Sequence, residues 1–562
     1  MQIENKATIT LINMQYDRVV YLEKAGTLTE YISNIERDSL HSLKITGVIN
    51  KSDVDDVLNE MCTSEGDYEG DPEDDIWVVD EEHSPRLRYL DLSGCRFVGG
   101  TKFPYMGWYP LLEYFAFPQG IEYACDEYDS GLECATKLKT VVLPEGIKNV
   151  GQYNGCENLE EINLPESIET IDDFAFNFCR KLKHLHIPRN VNYIGAGAFA
   201  QCGIKEFDID PDNPYFTTVD GVIFTKDLKT IVAFPPISKT HYDIPFGTEI
   251  IGGGAFEDCN LETIHIPDSV TRIETFAFQC SGLREVYLPD SVTEIGDICF
   301  RGSSELESMR LSQNISILGD QAISGCKKLK EIDIPASVKK MDLSNIVWNE
   351  SLERVCLHNG LEEITGEGPC ICRIGQLKEI SLPKTLRRIP GGMFHHCHQL
   401  KNFNLDPENP FFTTIGDAIY SHDKTRLVVV PDSQRKSFAV PEGVEEIGEL
   451  VFSYFYRLEN VELPNTLRKI GHRAFDGCKS LREIIIPAGL NVIDFRAFDG
   501  CEMLDRLVCR PVEPPQLENY NIHRKFLDAI KNIIVMVPAE SLPLYQNAEG
   551  WKDVKLVPFI DE

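Results

Sequence analysis

Long hydrophobic runs are missing from this sequence. It contains no stretch of about 18 or more apolar residues, so it offers no candidate transmembrane helix. Residues 1–10, MQIENKATIT, also lack the basic and apolar regions of a signal peptide. Two locations therefore stay open. Either an export signal is encoded upstream and the protein reaches the cell surface or the extracellular space, or the protein stays in the cytoplasm.

Positive charge is scarce. Lys and Arg number 55 against 89 Asp and Glu, which gives a formal net charge of −34. Binding to nucleic acid requires clustered Lys and Arg that neutralise phosphates, and anionic membrane surfaces require the same. The charge balance therefore excludes nucleic acid and anionic membrane surfaces as partners. It favours a soluble protein and partners whose surfaces carry cationic patches.

Catalytic signatures are also lacking. The sequence has no G-x-S-x-G, H-E-x-x-H or paired C-x-x-C motif, and its Ser, His and Asp residues are scattered through positions that a repeat explains. We therefore expect a protein that is not an enzyme and that holds no cofactor and no metal.

A repeated phrase dominates what is present. Its clearest copies are LKHLHIPRNVNYIGAGAFAQC at 182–202 and LREIIIPAGLNVIDFRAFDGC at 481–501. The prolines that follow each short apolar run lie 21 to 25 residues apart in consecutive copies. This spacing is in the range of leucine-rich repeats.

The apolar positions of one copy predict its structure. Leu182, Leu185 and Ile187 alternate with polar residues, which is typical of a short strand with one buried face. The rest of the copy adds more inward apolar groups than so short a unit covers alone: Val191, Ile194, Ala198 and Phe199. Successive copies must therefore stack, and the predicted fold is a mostly β α/β solenoid whose strands form a parallel sheet.

The repeat divides the chain into regions. Residues 1–85 are predicted to form an N-terminal cap with a capping box at Ser52 and Asp55, 86–508 the solenoid, and 509–562 a C-terminal cap. Two insertions, at about 210–236 and 406–432, resemble each other and read as small β-meanders. We expect them to project from the solenoid as protrusions.

Half of the 18 cysteines fall in the slot that ends the A-F-x-x-C phrase. Because equivalent side chains in stacked coils point the same way, we interpret these cysteines as small buried apolar residues rather than bridges. They are Cys156, Cys179, Cys202, Cys259, Cys280, Cys326, Cys397, Cys478 and Cys501. Cys125 and Cys134 lie outside this ladder and are the candidate disulfide pair.

Several motifs together resemble the BspA-like family of bacterial surface leucine-rich-repeat proteins. They are the I-P-x-S-V-x-x-I-G-x-x-A-F-x-G-C phrase, the D-P-x-N-P-x-F insertions, and VPAESLPLYQNAEGW near the end. The resemblance implies a surface protein without enzyme activity, in some members an adhesin for host matrix proteins. Members are usually exported and often lipid-anchored, whereas this chain shows no export signal at its start.

The outward positions of the predicted strands are the candidate binding positions, because core packing does not choose them. His265, Tyr287 and Arg310 are expected on three adjacent strands, and aromatic and charged groups of this kind are enriched in binding hot spots. The alternative interpretation is an ordinary solvated sheet face with cross-strand pairs.

A second candidate group contains His184, His186 and Asp208, near Glu161 and Glu206. Imidazole and carboxylate ligands suit a divalent metal, but simple charge pairing explains the same residues. Two other groups are interpreted as a surface turn and a solvated loop rather than metal sites: His395, His396 and His398, and the acidic stretch 65–75.

The sequence thus favours a monomeric surface protein that binds a protein, including a host matrix protein, or a glycan. An intracellular scaffold of the same fold is the alternative.

Overall fold

A computed structural model describes residues 15–62, 86–105, 111–124, 132–366, 374–394, 397, 399–400, 402–431, 434–518 and 533–559. The chain divides into two compact units, Met1–Leu283 and Arg284–Glu562, called here the N-terminal and C-terminal units. No helix in these described ranges is long and apolar enough to cross a membrane.

The N-terminal unit begins with a parallel six-stranded sheet in sequence order. Its strands are β1 Arg18–Leu22, β2 Ser42–Ile49, β3 Tyr89–Phe97, β4 Tyr114–Ala116, β5 Thr140–Val142 and β6 Glu161–Ile162. Short helical segments lie between the first three strands: a 3-10 turn Leu28–Glu30, α1 Asn34–Arg37, α2 Lys51–Asp53, a π-helical turn Val54–Leu58 and α3 Asn59–Cys62.

The predicted capping box at Ser52 and Asp55 is wrong by two residues. Asn50 is the residue that caps α2, because its side chain accepts hydrogen bonds from the backbone N–H groups of Ser52 and Asp53. The Asp53 carboxylate accepts in return from the N–H of Asn50, which completes the box. Asp53 also accepts from the N–H groups of Gly26 and Leu28, so one buried carboxylate ties this helix to the preceding loop.

Each regular coil contains two short strands and a closing turn. In the copy at 182–202 the opening strand ends before Pro188, a second strand follows at Tyr193–Ile194, and a turn carries Ala198, Phe199 and Cys202 inward. All seven apolar residues that the sequence pattern places inside this coil are buried. The opening strands pair in parallel, as predicted, in several consecutive sheets, and the second strands pair in parallel in further sheets that the pattern did not predict.

The coils of the N-terminal unit continue this arrangement. The strands are β7 Thr170–Ile171, β8 His186–Ile187, β9 Tyr193–Ile194, β10 Asp208–Ile209, β11 Phe216–Val219, β12 Val222–Thr225, β13 Thr230–Ala233, β14 His241–Asp243, β15 Ile250–Ile251, β16 Thr263–His265 and β17 Arg272–Ile273. Opening strands pair as β8 with β10 and β14 with β16, and second strands as β7 with β9 and β15 with β17.

The C-terminal unit starts with coils of the same kind. Its first strands are β18 Glu285–Tyr287, β19 Glu294–Ile295, β20 Ser308–Arg310, β21 Ile317–Leu318, β22 Glu331–Ile334, β23 Lys340–Asp342, β24 Arg354–Leu357, β25 Glu363–Thr365, β26 Glu379–Leu382 and β27 Asn402–Leu405, with a 3-10 turn Leu343–Ile346. The opening strands β22, β24, β26 and β27 form one parallel sheet in that order.

The remaining strands of the C-terminal unit are β28 Phe412–Ile415, β29 Ala418–Ser421, β30 Arg426–Val429, β31 Ser437–Ala439, β32 Glu446–Ile447, β33 Asn460–Glu462, β34 Lys469–Ile470, β35 Glu483–Ile486, β36 Val492–Asp494, β37 Arg506–Cys509, β38 Gln516–Glu518, β39 Ile534–Pro538 and β40 Lys555–Phe559. A 3-10 turn, Ala539–Ser541, and α4 Leu542–Asn547 precede β40. Strands β39 and β40 extend the last sheet of opening strands.

The two insertions do form β-meanders, but they do not simply project. Strands β11, β12 and β13 are antiparallel, and β13 then pairs in parallel with the second strand β15. In the same way β28, β29 and β30 lead into β32. The last strand of each meander is the second strand of its own coil. Through its pairing with the second strand of the next coil, the meander becomes part of the sheet of second strands.

Aromatic side chains stack through the core from coil to coil. Phe176 lies between Tyr153 and Phe199, with ring centroids 5.7 and 5.9 Å apart and nearly parallel planes. Phe475 lies between Phe452 and Phe498 in the C-terminal unit. These rings are buried because each coil covers the apolar side chains of its neighbour. Stacking therefore removes apolar surface from water, which stabilises the array of coils.

Candidate functional site: the outward face of the opening strands

The opening strands present every second side chain to solvent. In β18, Val286 is fully buried, whereas Glu285 and Tyr287 on either side are exposed. Side chains alternate because successive residues of a strand point to opposite faces. We call the exposed side of these strands the outward face.

Tyr287 and Arg310 lie side by side on this face. They are register partners on β18 and β20, and the Tyr287 side chain is 58% exposed. The Arg310 guanidinium donates to the carbonyl oxygen of Leu288 at 3.2 Å and to the carboxylate of Asp290 at 3.1 Å. These two contacts fix the position of the guanidinium on the outward face.

His265 belongs to the N-terminal unit, at the exposed end of β16. Its register partner there is Asp243 on β14, a residue that the sequence pattern did not identify. Asp243 lies 3.4 Å from Nε2 of His241, whose Nδ1 is 2.7 Å from the hydroxyl of Thr263. The signal was available, since HYDI directly precedes Pro245 as other opening strands precede their prolines.

His186 and Asp208 are brought together as register partners on β8 and β10. Nδ1 of His186 lies 2.8 Å from a carboxylate oxygen of Asp208, and both side chains are exposed. His184, two residues before His186, is also exposed. Within the described part of the chain, these residues do not gather three donor atoms at metal-binding distance, so the contact between His186 and Asp208 is a hydrogen bond between imidazole and carboxylate.

A different group does gather three donors on the outward face of the C-terminal unit. The ligand atoms of Asp333, Cys356 and His358 all lie within 4.8 Å of one another. Burial raises the pKa of the Cys356 thiol, and the charge of Asp333 raises it further. The sequence pattern placed Asp333 and Cys356 in outward positions but missed His358; the local signal is C-x-H on a strand whose alternate positions face solvent.

The buried cysteines of the ladder make the same hydrogen bond in one coil after another. The Cys179 thiol donates to the carbonyl oxygen of Tyr153 at 3.2 Å and the Cys202 thiol to that of Phe176 at 2.9 Å. Cys478 and Cys501 make the same contact to residues 26 positions earlier. Desolvation raises the pKa of the buried ladder thiols, so they are unreactive packing groups.

Cys280 does not belong to the ladder. It is exposed and has a positive φ of 51°, while Ser281 occupies the buried slot instead. No residue is missing from this copy: Ser281 stands four residues after Ala277, in the ladder slot, whereas Cys280 stands only three residues after it. Cys134 is a half-buried thiol, and its candidate partner Cys125 lies outside the described residues.

Two groups that the sequence pattern singled out fall outside the described ranges. They are the histidines at 395, 396 and 398 and the acidic stretch at 65–75. Phe394 and Cys397 beside those histidines are buried, as the alignment of the repeat predicts.

The sequence of the repeats matches a known family. A family model described as the BspA type leucine rich repeat region matches residues 112–227, 232–353, 347–436 and 431–520. The chain belongs to the BspA-type leucine-rich-repeat family. This fold builds extended surfaces from stacked repeats and is typical of proteins that bind other proteins.

Solved structures resemble this BspA-type chain at low identity. A leucine-rich repeat protein from Bacteroides ovatus is 21% identical, with 80% of this chain and 92% of that chain covered and a TM-score of 0.29. A leucine rich cell surface protein from Faecalibacterium prausnitzii is 20% identical, with coverage of 65% and 79% and a TM-score of 0.34. A search of curated proteins found no match.

Proposed function

We propose that this chain is a non-enzymatic binding protein of the bacterial cell surface that recognises a protein or a glycan through the outward face. The partner class includes host matrix proteins, and the chain acts as a monomer without nucleic acid or a membrane span. The observation that carries the proposal is the exposed Tyr287 beside Arg310.

Core packing does not require a tyrosine at this position. Val286 supplies the buried contact of β18, and the Tyr287 ring is directed into solvent. Tyr and Arg are the residue types most enriched in binding hot spots, where a ring and a guanidinium are desolvated together. Because Arg310 already contacts Leu288 and Asp290, little side-chain entropy is lost when a ligand binds it.

Membership in the BspA-type family supports the surface location, since the resemblance implies an exported bacterial protein. His265, His184, His186 and Asp208 are the further candidate contacts on the outward face of the N-terminal unit. The His186–Asp208 pair is exposed and offers both a donor and an acceptor to a polar ligand.

The test is a screen of the whole chain against matrix proteins and glycans, followed by affinity measurements. Tyr287→Ala and Arg310→Ala should each weaken binding of the ligand found by at least about tenfold. The matched control is Ile317→Ala, because Ile317 is 53% exposed but lies on the second strand β21. Unchanged affinity in both outward-face variants would remove this patch from consideration.

An intracellular scaffold of the same fold is the second candidate. It is favoured by the fourteen cysteines with described side chains, which are all thiols, as expected in a reducing compartment. Surface proteolysis of intact cells separates the two proposals. Cleavage supports the surface protein, and full protection while cells are intact supports the scaffold.

A further inference from the structure

We propose that Asp333, Cys356 and His358 form a binding site for a soft divalent cation of the Zn²⁺ class on the outward face of the C-terminal unit. The site goes beyond the proposed ligand binding and does not depend on it, since none of its donors belongs to the Tyr287 and Arg310 patch.

The fold itself brings the three side chains together. Asp333 and Cys356 are register partners on the parallel strands β22 and β24. Cys356 and His358 are two residues apart, so both lie on the outward side while Leu357 between them is buried. The backbone N–H of His358 donates to the carbonyl oxygen of Ile334 at 3.2 Å, which extends the strand pairing to the histidine.

The chain just after the histidine is also held in place. Gly360 has a φ of 139°, and a Cβ there would overlap the carbonyl oxygen of Ala336. Only glycine fits so close to the neighbouring coil. The backbone that carries His358 is therefore anchored on both sides, and the imidazole needs only its own rotamer to reach a cation.

The spacing of the donors suits a tetrahedral cation. Their ligand atoms lie within 4.8 Å of one another. Bond lengths of about 2.0 to 2.3 Å from Zn²⁺ to oxygen, nitrogen and sulfur require ligand atoms roughly 3.5 Å apart. Side-chain rotations of about 1 Å close the difference, and exposed side chains make such rotations freely. Three protein ligands leave a further coordination position for water.

The donor types select the metal. A thiolate and an imidazole favour Zn²⁺ and Co²⁺ over Ca²⁺ and Mg²⁺, which prefer oxygen ligands alone. Cys356 has Asp333 and Ser381 as its register partners on β22 and β26. Binding replaces the thiol proton of Cys356 by the cation and releases that proton to solvent.

The nearby positive charge does not prevent binding. Arg354 lies two residues before Cys356 on the same side of β24, but its guanidinium contacts Glu331 at 3.7 Å and Glu379 at 3.9 Å. These carboxylates offset the guanidinium charge, which leaves the carboxylate of Asp333 and the thiolate to balance a divalent cation.

The test is titration of the metal-free whole chain with Co²⁺ and then Zn²⁺, followed by absorption and calorimetry. We expect a single Co²⁺ with a thiolate-to-cobalt charge-transfer band that Zn²⁺ abolishes. Cys356→Ser should remove the band, and Asp333→Asn and His358→Gln should each weaken Zn²⁺ binding by at least about tenfold. All three substitutions are on the solvent side of the sheet, and circular dichroism verifies that each variant folds.

Two control variants make the result specific. Glu462→Gln removes an exposed carboxylate on the opening strand β33 of the same unit, and Cys280→Ser removes an exposed thiol elsewhere. Both should bind Zn²⁺ like the unmodified chain. A cobalt complex without the thiolate band, a band that survives Cys356→Ser, or equal loss of affinity in Glu462→Gln overturns the proposal.

Discussion

The carboxyl of Glu257 is buried, and its surroundings change its chemistry. Its side chain is 5% exposed, and its Oε2 has no hydrogen-bond partner. Ala198, Phe199 and Phe234 line the small pocket around it. Burial, aided by the charge of Asp258, raises the pKa of Glu257 from 4.5 to about 8, so the folded protein holds it as a neutral acid at pH 7.

We predict that Glu257→Gln reduces the dependence of stability on pH. Between pH 4.5 and 8 the unfolded chain has lost this proton and the folded chain keeps it, so the free energy of unfolding falls as pH rises. Above pH 8 Glu257 is ionised in both states, and its ionisation lowers the free energy of unfolding no further. The neutral amide has no such loss, and the variant should be the more stable protein at pH 9 by at least about 2 kcal/mol, measured by urea unfolding.

The control for this prediction is Glu249→Gln, whose carboxylate is solvent-accessible and pairs with Lys229. It should leave the shape of the pH profile unchanged. If Glu257→Gln and the unmodified chain lose stability in parallel from pH 5 to 9, Glu257 is ionised in the folded state and the prediction is wrong.

The repeat pattern predicts the burial of most individual residues correctly, but not of all of them. The alignment of copies placed Leu182, Phe199 and Cys202 in the core correctly, because every copy needs the same groups to fill the space between coils. It placed Cys280 there wrongly, since Ser281, one residue later, occupies the inward slot and Cys280 is exposed. Cys280 itself takes a left-handed backbone conformation in the turn, which the pattern does not reveal.

The meanders are held to their coils by one asparagine each. Asn213 is fully buried, and its amide donates to the carbonyl oxygens of Pro188 and Val191 in the preceding coil. Its side-chain oxygen accepts from the N–H groups of Tyr215 and Phe216. Asn409 makes the same four bonds at the second meander, which explains the asparagine shared by DPDNPYF and DPENPFF.

We predict that Asn213→Ala loosens the first meander. The substitution leaves two carbonyl oxygens and two N–H groups without their partner in a buried site, which should cost about 3 kcal/mol or more. Native-state hydrogen exchange should show the loss of protection in β11, β12 and β13. Asn409→Ala should do the same to β28, β29 and β30.

Asn190→Ala is the matched control for the asparagine variants, because Asn190 also bonds a carbonyl of the preceding coil but is exposed. Water replaces its amide, so the exchange pattern should stay as it is in the unmodified chain. Meander protection that survives Asn213→Ala would show that strand pairing alone holds these strands.

At both insertions the sequence predicted that strands form, but it did not predict which other strands they pair with. Turn signals such as Asp220-Gly221 and Gly416-Asp417, each between β-rich runs, predicted the meanders correctly. Their union with the second strands depends on backbone pairing between β13 and β15, residues about 20 apart whose side chains give no signal of it. The second sheet was missed for the same reason, since its two-residue strands are too short to show a period.

Two buried aromatic residues lie near the last strands of the C-terminal unit. Trp551 is 1% exposed and its indole N–H donates to the carbonyl oxygen of Pro515 at 2.8 Å. Tyr545, also buried, packs edge-on against it and donates to the carbonyl oxygen of Pro511. Both side chains therefore attach the segment after β37 to the segment that precedes β40.

We predict that Trp551→Ala destabilises the C-terminal unit by about 3 to 5 kcal/mol, through lost burial and an unpaired carbonyl. Because coils contact only their neighbours, protection from hydrogen exchange should fall most in β37, β39 and β40 and less in earlier strands. Leu544→Ala is the control, since Leu544 lies on α4 but is 43% exposed. A uniform loss across the unit would contradict nearest-neighbour stability.

At the scale of the whole molecule, the sequence by itself determined the class of fold, the inward slots and the family. The reason is that every coil must fill the same space between its neighbours, so the same apolar positions recur in copy after copy of the repeat. The sequence also placed Tyr287 and Arg310 on adjacent strands, where they are register partners. Only the tertiary structure decided that His265 meets Asp243 and that His358 meets Asp333 and Cys356. Those meetings depend on strand register between coils, and register follows from the lengths of turns that differ from copy to copy.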